Sequence, residues 1–254
     1  MAGEAKTNSF MLGSATVMIG PQADLFTLAP ATHSIGLVKN FTTSSEPQYT
    51  DLSQGVKNTI VASVMTSNRV RAQMEVYEYT AKNIAYALGL NGSSLTPISS
   101  STTTSAAVTA NATSITVAQA TGLAVNDWIM IQEGDDDKVF YRRIVTVATN
   151  TLTLNASLPV ALTSGCVVRK VNVIDVGSTV DQPYLSAQIV GSLADGTEIG
   201  LYIPKLRITA GFSLGFTTDN FGNLPLEFTL YDLTSDDPNY ALFSGKQAML
   251  FTPK

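Results

Sequence analysis

The sequence predicts a mainly β protein: a sandwich or barrel with one short helix, interrupted by a small inserted all-β domain. Three observations carry this. Short apolar runs with period-two alternation recur between turn residues along the chain. A single segment has clear helical spacing. A Ser/Thr tract, ten of the thirteen residues 93–105, then separates a strand-rich first part from a compact β-rich stretch, after which strand-like sequence resumes. Such a tract reads as a flexible tether. The expected organisation is a discontinuous host domain over residues 1–95 and 174–254, a linker over 96–105, and an insert over 106–173.

In order along the host, Ala15 to Ile19 and Leu25 to Leu28 read as short strands separated by the turn signal Gly20-Pro21. Ser34 to Thr42 reads as a further strand, and Thr43 to Gly55, polar and containing Pro47, as a long loop. Asn58 to Met65 and Arg69 to Tyr79 are expected to pair as a hairpin across Thr66-Ser67-Asn68. In the second arm Val70, Ala72, Met74 and Val76 alternate with Arg69, Arg71, Gln73 and Glu75, the signature of a sheet with one wet face. The helix follows. Thr80 can cap it, Ala81, Ile84, Ala85 and Leu88 fall at i, i+3, i+4 and i+7, and Gly89 stands where a C′ glycine belongs.

The insert has five predicted strands: Ser114 to Val117, Trp128 to Gln132, Val139 to Val147, Thr151 to Asn155 and Cys166 to Val173. Their close spacing suggests a small barrel or sandwich. Trp128, leading into Ile129-Met130-Ile131, is expected in its core. Beyond the insert, Tyr184 to Leu193 and Thr197 to Ile203 flank the hairpin turn Asp195-Gly196. Leu206 to Phe216 alternates again, and Leu226 to Tyr231 adds another strand.

Composition narrows the function. Of the 254 residues 44% are hydrophobic and only 14% charged, against roughly 25% charged in typical soluble domains. A surface so poor in charge suits a subunit buried among copies of itself. The net charge of −5 gives no basic footprint for gripping nucleic acid. One cysteine, Cys166, cannot form an intramolecular disulfide and reads as a small buried hydrophobe. Gly13, Ser14 and Thr16 interrupt the apolar run from Phe10 to Ile19, so neither a signal peptide nor a membrane span is expected, and synthesis in a cytoplasm is.

Catalytic chemistry finds few candidates. His33, the single histidine, has no placed carboxylate and no G-x-S-x-G partner motif. One His and one Cys do not make a zinc site, and Gly134-Asp135-Asp136-Asp137-Lys138 lacks the spacing of a calcium loop and reads as a solvated hairpin tip. Carboxylate pairs such as Glu75 and Glu78, or Asp236 and Asp237, are too common to define a glycosidase. The expectation is a protein that is no enzyme, with no catalytic residue, metal or cofactor.

Two stretches resemble bacteriophage tail tube proteins. The first is Val70 to Leu90, VRAQMEVYEYTAKNIAYALGL, in which a strand runs into a helix ending in Gly-Leu. The second is Leu201 to Tyr231, with YIPKLRITAGFSLGF followed by a strand containing LPLEF. The resemblance covers most of residues 15–92 and 175–250. The insert resembles a small β domain recurrent in phage structural proteins, carried by ATSITVAQATGLAVNDWIMI and TLTLNASL.

What the resemblance implies is a tail-tube-type fold and a major tail protein of the virion. Its copies would form hexameric rings stacked into a tube, with DNA passing through the lumen without specific binding during ejection. Partners would be further copies of the chain and, beyond them, sheath, baseplate and tail terminator proteins, with no membrane insertion. In the family a long loop between early strands reaches the neighbouring ring. By position this makes Glu46, Pro47, Gln48, Tyr49 and Asp51 the candidate inter-ring contacts. Arg69, Arg71, Gln73 and Glu75 are the candidate lumenal or inter-subunit face. Two alternatives stand beside this reading: the tube of a contractile injection system that translocates protein, and a β-domain module whose insert recognises host surface glycans.

Overall fold

A computed structural model describes residues 15–54, 56, 58–93, 95, 98–134, 138–177, 181–213, 215 and 222–252. The chain divides into two compact units, Met1–Leu95 with Val176–Lys254, and Thr96–Asp175. In chain order the first unit opens with β1 (Ala15–Pro21), a 3-10 helix (Gln22–Thr27), α1 (Pro30–His33), β2 (Val38–Gln54), β3 (Thr59–Val76) and α2 (Ala81–Ala87). The second unit contributes β4 (Ser101–Thr103), β5 (Ser114–Thr116), β6 (Trp128–Gln132), β7 (Val139–Ala148), β8 (Thr151–Leu154) and β9 (Val167–Val171). The first unit then resumes with β10 (Leu185–Ser192), β11 (Glu198–Ala210), β12 (Leu224–Leu230), α3 (Tyr240–Phe243) and β13 (Met249–Phe251). The protein is mainly β, with antiparallel pairing and four short helices among the described residues.

The first unit is one sheet in the order β1-β10-β11-β12-β3-β2, with β13 added alongside β11. Alternation sends Val17, Ile19, Leu185, Ala187, Ile203, Leu206, Ile208, Leu226, Phe228, Ala72 and Met74 to one face, where Tyr86 and Ala87 of α2 close over them. On the other face, Met18, Leu25, Leu28, Leu233 and Phe243 form a smaller cluster with Val190, Tyr202 and Met249. The sheet is therefore covered on both sides around β1, β10 and β11, and on one side only around β12 and β3.

The expected helix is present. Thr80 Oγ1 accepts from the Asn83 amide at 3.2 Å, and Gly89 takes the left-handed conformation at its end (φ +76°). Its buried residues are Asn83, Ala85, Tyr86 and Ala87 rather than a narrow stripe, because seven residues are held from two sides. Asn83 Nδ2 donates to the carbonyls of Ile35 and Glu78, Lys82 Nζ to that of Ser34, and the Tyr86 hydroxyl to that of Ile19 at 2.9 Å.

Several boundaries differ from expectation for identifiable reasons. Residues 25–28 are not a strand: Pro21 leads into the 3-10 turn, which places Leu25 and Leu28 at three-residue spacing on one apolar side. Ser34 to Leu37 lies outside β2, since α1 ends at His33 and Gly36 turns the chain at φ +81°. The loop expected over Thr43 to Gly55 is strand as far as Gln54, and Gly55 lies outside the described residues. Thr66-Ser67-Asn68 is no turn but part of β3, where the register shifts past Thr66. Thr197 to Ile203 and the start of the next run are one strand, β11, since Pro204-Lys205 is absorbed as a bulge against β10. Leu214 and Phe216, like Asp135 to Asp137, lie outside the described residues.

In the second unit the sheet order is β4-β9-β6-β7-β8-β5. The five predicted strands are present, each within a few residues of its expected limits. A sixth is β4, drawn from the Ser/Thr tract: Ser101, Thr102 and Thr103 pair with Arg169, Val168 and Val167. Thr104 is buried, and its hydroxyl accepts from the Cys166 amide at 3.0 Å. This end of the tract is therefore not a tether, because hydroxyl side chains serve a pleated edge as well as a loop. The core holds Ile115, Ile129, Ile131, Ile144, Leu152, Leu154, Leu158 and Val168, with Cys166 buried beside them. Trp128 is not in it. Ile129 and Ile131 take the inward positions of β6, so Trp128, Met130 and Gln132 stand on the opposite face, half-buried.

Candidate functional site

Two features of the first unit stand out as surfaces built for contact. The first is the outer part of the β2–β3 hairpin. From Ser45 and Val70 outward β2 and β3 pair only with each other, since the pairing of β3 with β12 ends at Arg71. Residues 48–54 and 59–67 are exposed throughout, including Tyr49, Leu52, Ile60, Val61, Val64 and Met65. Register puts these apolar groups on both faces. Tyr49 opposes Met65 on one, beside Asp51 and Ser63, whose hydroxyl donates to Asp51 at 2.6 Å. Thr50 opposes Val64 and Leu52 opposes Ala62 on the other.

The candidate contacts Glu46, Pro47, Gln48, Tyr49 and Asp51 all lie on this arm, opposite Arg69, Asn68, Ser67, Met65 and Ser63 respectively. They do so as strand residues, not as the loop the sequence suggested. Pro47 is tolerated because β2 ends the sheet and its missing N–H breaks no further ladder. Sequence reasoning missed Leu52, Val61 and Val64 as contact candidates, because an arm exposed on both faces has no one-sided alternation to report.

The second feature is the uncovered face of β12 and β3. Arg71, Gln73 and Glu75 share it, as expected from their alternation with Ala72, Met74 and Val76, while Arg69 lies further out, across from Glu46. Arg71 Nη1 sits 3.3 Å from Glu227 Oε1, both about one-third exposed, and a pair of that exposure stabilises by at most ~1 kcal/mol. Glu75 accepts from the Tyr77 hydroxyl at 2.9 Å, and that bond, with one from Asn40, lowers its carboxyl below the usual range. Arg207, Thr229 and Arg71 form one row across β11, β12 and β3. Arg207 Nε, Thr229 Oγ1 and Arg71 Nε are buried there with no hydrogen-bond partner among the described residues. Such groups are ordinarily satisfied.

His33, Cys166 and Glu133 each bond to groups within their own unit. His33 closes α1, where its Nδ1 accepts from the Ala29 amide at 3.0 Å, and no carboxylate bonds to it among the described residues. Cys166 Sγ is buried and donates to the Thr163 carbonyl at 3.1 Å. Lys138 and the Thr163 amide hold Glu133 down to about 2. Among the described residues no three His, Cys, Asp or Glu side chains gather in a way that could hold a metal, and no helix is long and apolar enough to cross a membrane.

No protein-family model matches the chain, and no curated protein is significantly similar to it. Among solved structures, it is similar to the tailspike of Acinetobacter baumannii bacteriophage AP22 in complex with A. baumannii capsular saccharide. The identity is 24% over 30% of this chain, with a TM-score of 0.28. The match spans 15% of the tailspike's length. A likeness of that size carries no argument about activity.

Proposed function

We propose that this chain is the structural subunit of a phage tail tube, assembling into hexameric rings whose stacked lumen conducts DNA. The observation that carries the assembly is the β2–β3 arm, which exposes Tyr49 and Met65 on one face and Leu52 and Val64 on the other. A two-stranded ribbon has marginal stability in water by itself. An arm with apolar side chains on both faces gains its stability by lying between other surfaces. A contact made by a protruding arm on a different patch of the next copy is heterologous, and its repetition gives a ring where rotation closes it and a filament where it does not. The edge strand β2 offers an unpaired ladder to such a neighbour.

The tube assignment itself rests on the resemblance of Val70 to Leu90 and Leu201 to Tyr231. Mixed charge on the face of Arg71, Gln73, Glu75 and Glu227 supports it, because a passage for a polyanion works without basic grip. The virion tail is then the protein's location, and sheath, baseplate and terminator proteins are its neighbours.

Negative-stain electron microscopy of the purified full chain tests the reading. Rings or hollow tubes are the expected result. A particle that remains a single copy at millimolar concentration, with or without tail-initiating proteins, would overturn it. Tubes that admit protein but not DNA would move the assignment to a protein-translocating injection system.

A further inference from the structure

The second unit carries a surface on which the assembly reading does not rest. Residues directly opposed on antiparallel strands share a face, and the pairing of β9, β6 and β7 builds two rows on the side away from the core. Val171, Trp128 and Arg143 form one; Arg169, Met130 and Tyr141 form the next. Tyr141, Arg143 and Arg169 are exposed, and Trp128, Met130 and Val171 are half-buried. Among the described residues neither arginine has an ion pair. No Asp or Glu occupies these rows. The nearby acids Asp127 and Glu133 are engaged elsewhere, by Lys170 at 2.8 Å and by Lys138.

We propose that this face, at Trp128, Met130, Tyr141, Arg143 and Arg169, is a binding site for an acidic polysaccharide. The two guanidiniums lie diagonally across Trp128 and Met130, with Cα atoms about 12 Å apart from the strand spacing and rise alone. An unpaired arginine presents a planar fork that matches a carboxylate in two hydrogen bonds. The negative faces of the Trp128 and Tyr141 rings suit the C–H side of a sugar. A chain of carboxylate-bearing sugars supplies both partners at once. Nucleic acid fits less well, since duplex binding commonly recruits 6–10 phosphate contacts and this face offers two cations on a chain of net charge −5. The inference stands apart from the assembly reading: micrographs of the same sample report on tubes, and the measurement below reports on this face alone.

Trp128 is the chain's one tryptophan, so its fluorescence reads the site directly in the full-length protein. Polygalacturonate is the probe, with neutral dextran and poly-dT as controls. The expected result is a saturable change in Trp128 emission with polygalacturonate and none with dextran. Binding should weaken at least tenfold in R143Q/R169Q and recover only in part in R143K/R169K, which restores charge but not the fork. Both positions are exposed, so the variants should unfold at the parent's midpoint. No response to polygalacturonate, or an equal response in R143Q/R169Q, overturns the proposal. So does equal binding of poly-dT, which would define a general polyanion patch. An emission change on dilution without sugar also overturns it, by assigning the face to a second copy.

Discussion

Lys205 Nζ lies 2.7 Å from Asp237 Oδ2, tying the bulge of β11 to the turn that precedes α3, with both side chains nearly buried. Lys205 also stands over the Tyr184 ring, 4.5 Å from its centroid. Burial alone would raise the Asp237 carboxyl. The bonds from Lys205, from the Thr234 amide and hydroxyl, and from Gln22 outweigh it and hold the group well below the usual carboxylate range. Removing one partner leaves the other charge buried, so Asp237→Asn should destabilise by about 3 kcal/mol. The double variant K205M/D237N should recover much of the loss. Urea unfolding of the two variants measures both.

The same pair sets an acid limit. Asp237 has a folded pKa below its unfolded value of about 3.9, so its contribution is complete above that value and is lost as pH falls through the folded pKa. Glu133, held at about 2, acts in the same direction from its unfolded value of about 4.3. Stability should be flat from neutral pH to about 5 and then fall with acid. Asp237→Asn should flatten the acid limb; an unchanged limb would assign it to other groups.

Tyr86 is fully buried, and burial pushes its phenol up to about 12. Its hydroxyl donates to the Ile19 carbonyl, pinning α2 to β1 across the core. Tyr86→Phe keeps the ring and strands that carbonyl, for an expected loss of about 1–2 kcal/mol. Thr80→Ala should cost about 1 kcal/mol through the lost cap. The two should combine less than additively, since both act through one short helix. A chemical-denaturation cycle of the two single variants and the double measures the coupling.

Gly36 is a backbone requirement. It sits at φ +81°, and an added Cβ would fall 2.1 Å from the Glu78 carboxyl carbon. Glu78 Oε1 accepts from the Leu37 amide at 3.0 Å, so the side chain cannot move away without losing that bond. Gly36→Ala should destabilise by about 2 kcal/mol from the left-handed backbone alone. Thermal unfolding of the purified variant checks it.

What was legible in the sequence follows from where the side chains go. Strands with a core on one face announce themselves, as Ala72, Met74 and Val76 do in β3 and Leu226 and Phe228 in β12. The cap at Thr80 and the stop at Gly89 were equally plain, because those conformations select residue types. The outer arm was misread because alternation is a signal of burial, and an arm exposed on both faces has no core to report. Trp128 is expected inward from the apolar run it leads into, whereas Ile129 and Ile131 take the inward positions of the pleat and leave it on the other face. The bulges at Thr66 and Pro204-Lys205 joined what read as separate strands, since a bulge and a turn share the same residues.

The arm supplies the prediction that separates folding from assembly. Leu52 is 65% exposed and Val64 63%, on one face of the hairpin beyond the last residue that β12 pairs. Within a single copy they touch little that charge would disturb, so Leu52→Lys and Val64→Lys should leave the unfolding free energy within about 0.5 kcal/mol of the parent. Where the arm lies against another copy, each substitution buries an unpaired ammonium and should abolish tubes in electron micrographs. The control is Thr50→Ser, on the same face beside Val64, which adds no charge and should leave the tubes intact. Normal tubes from L52K/V64K, in a protein that folds as well as its parent, would remove the arm from the interface.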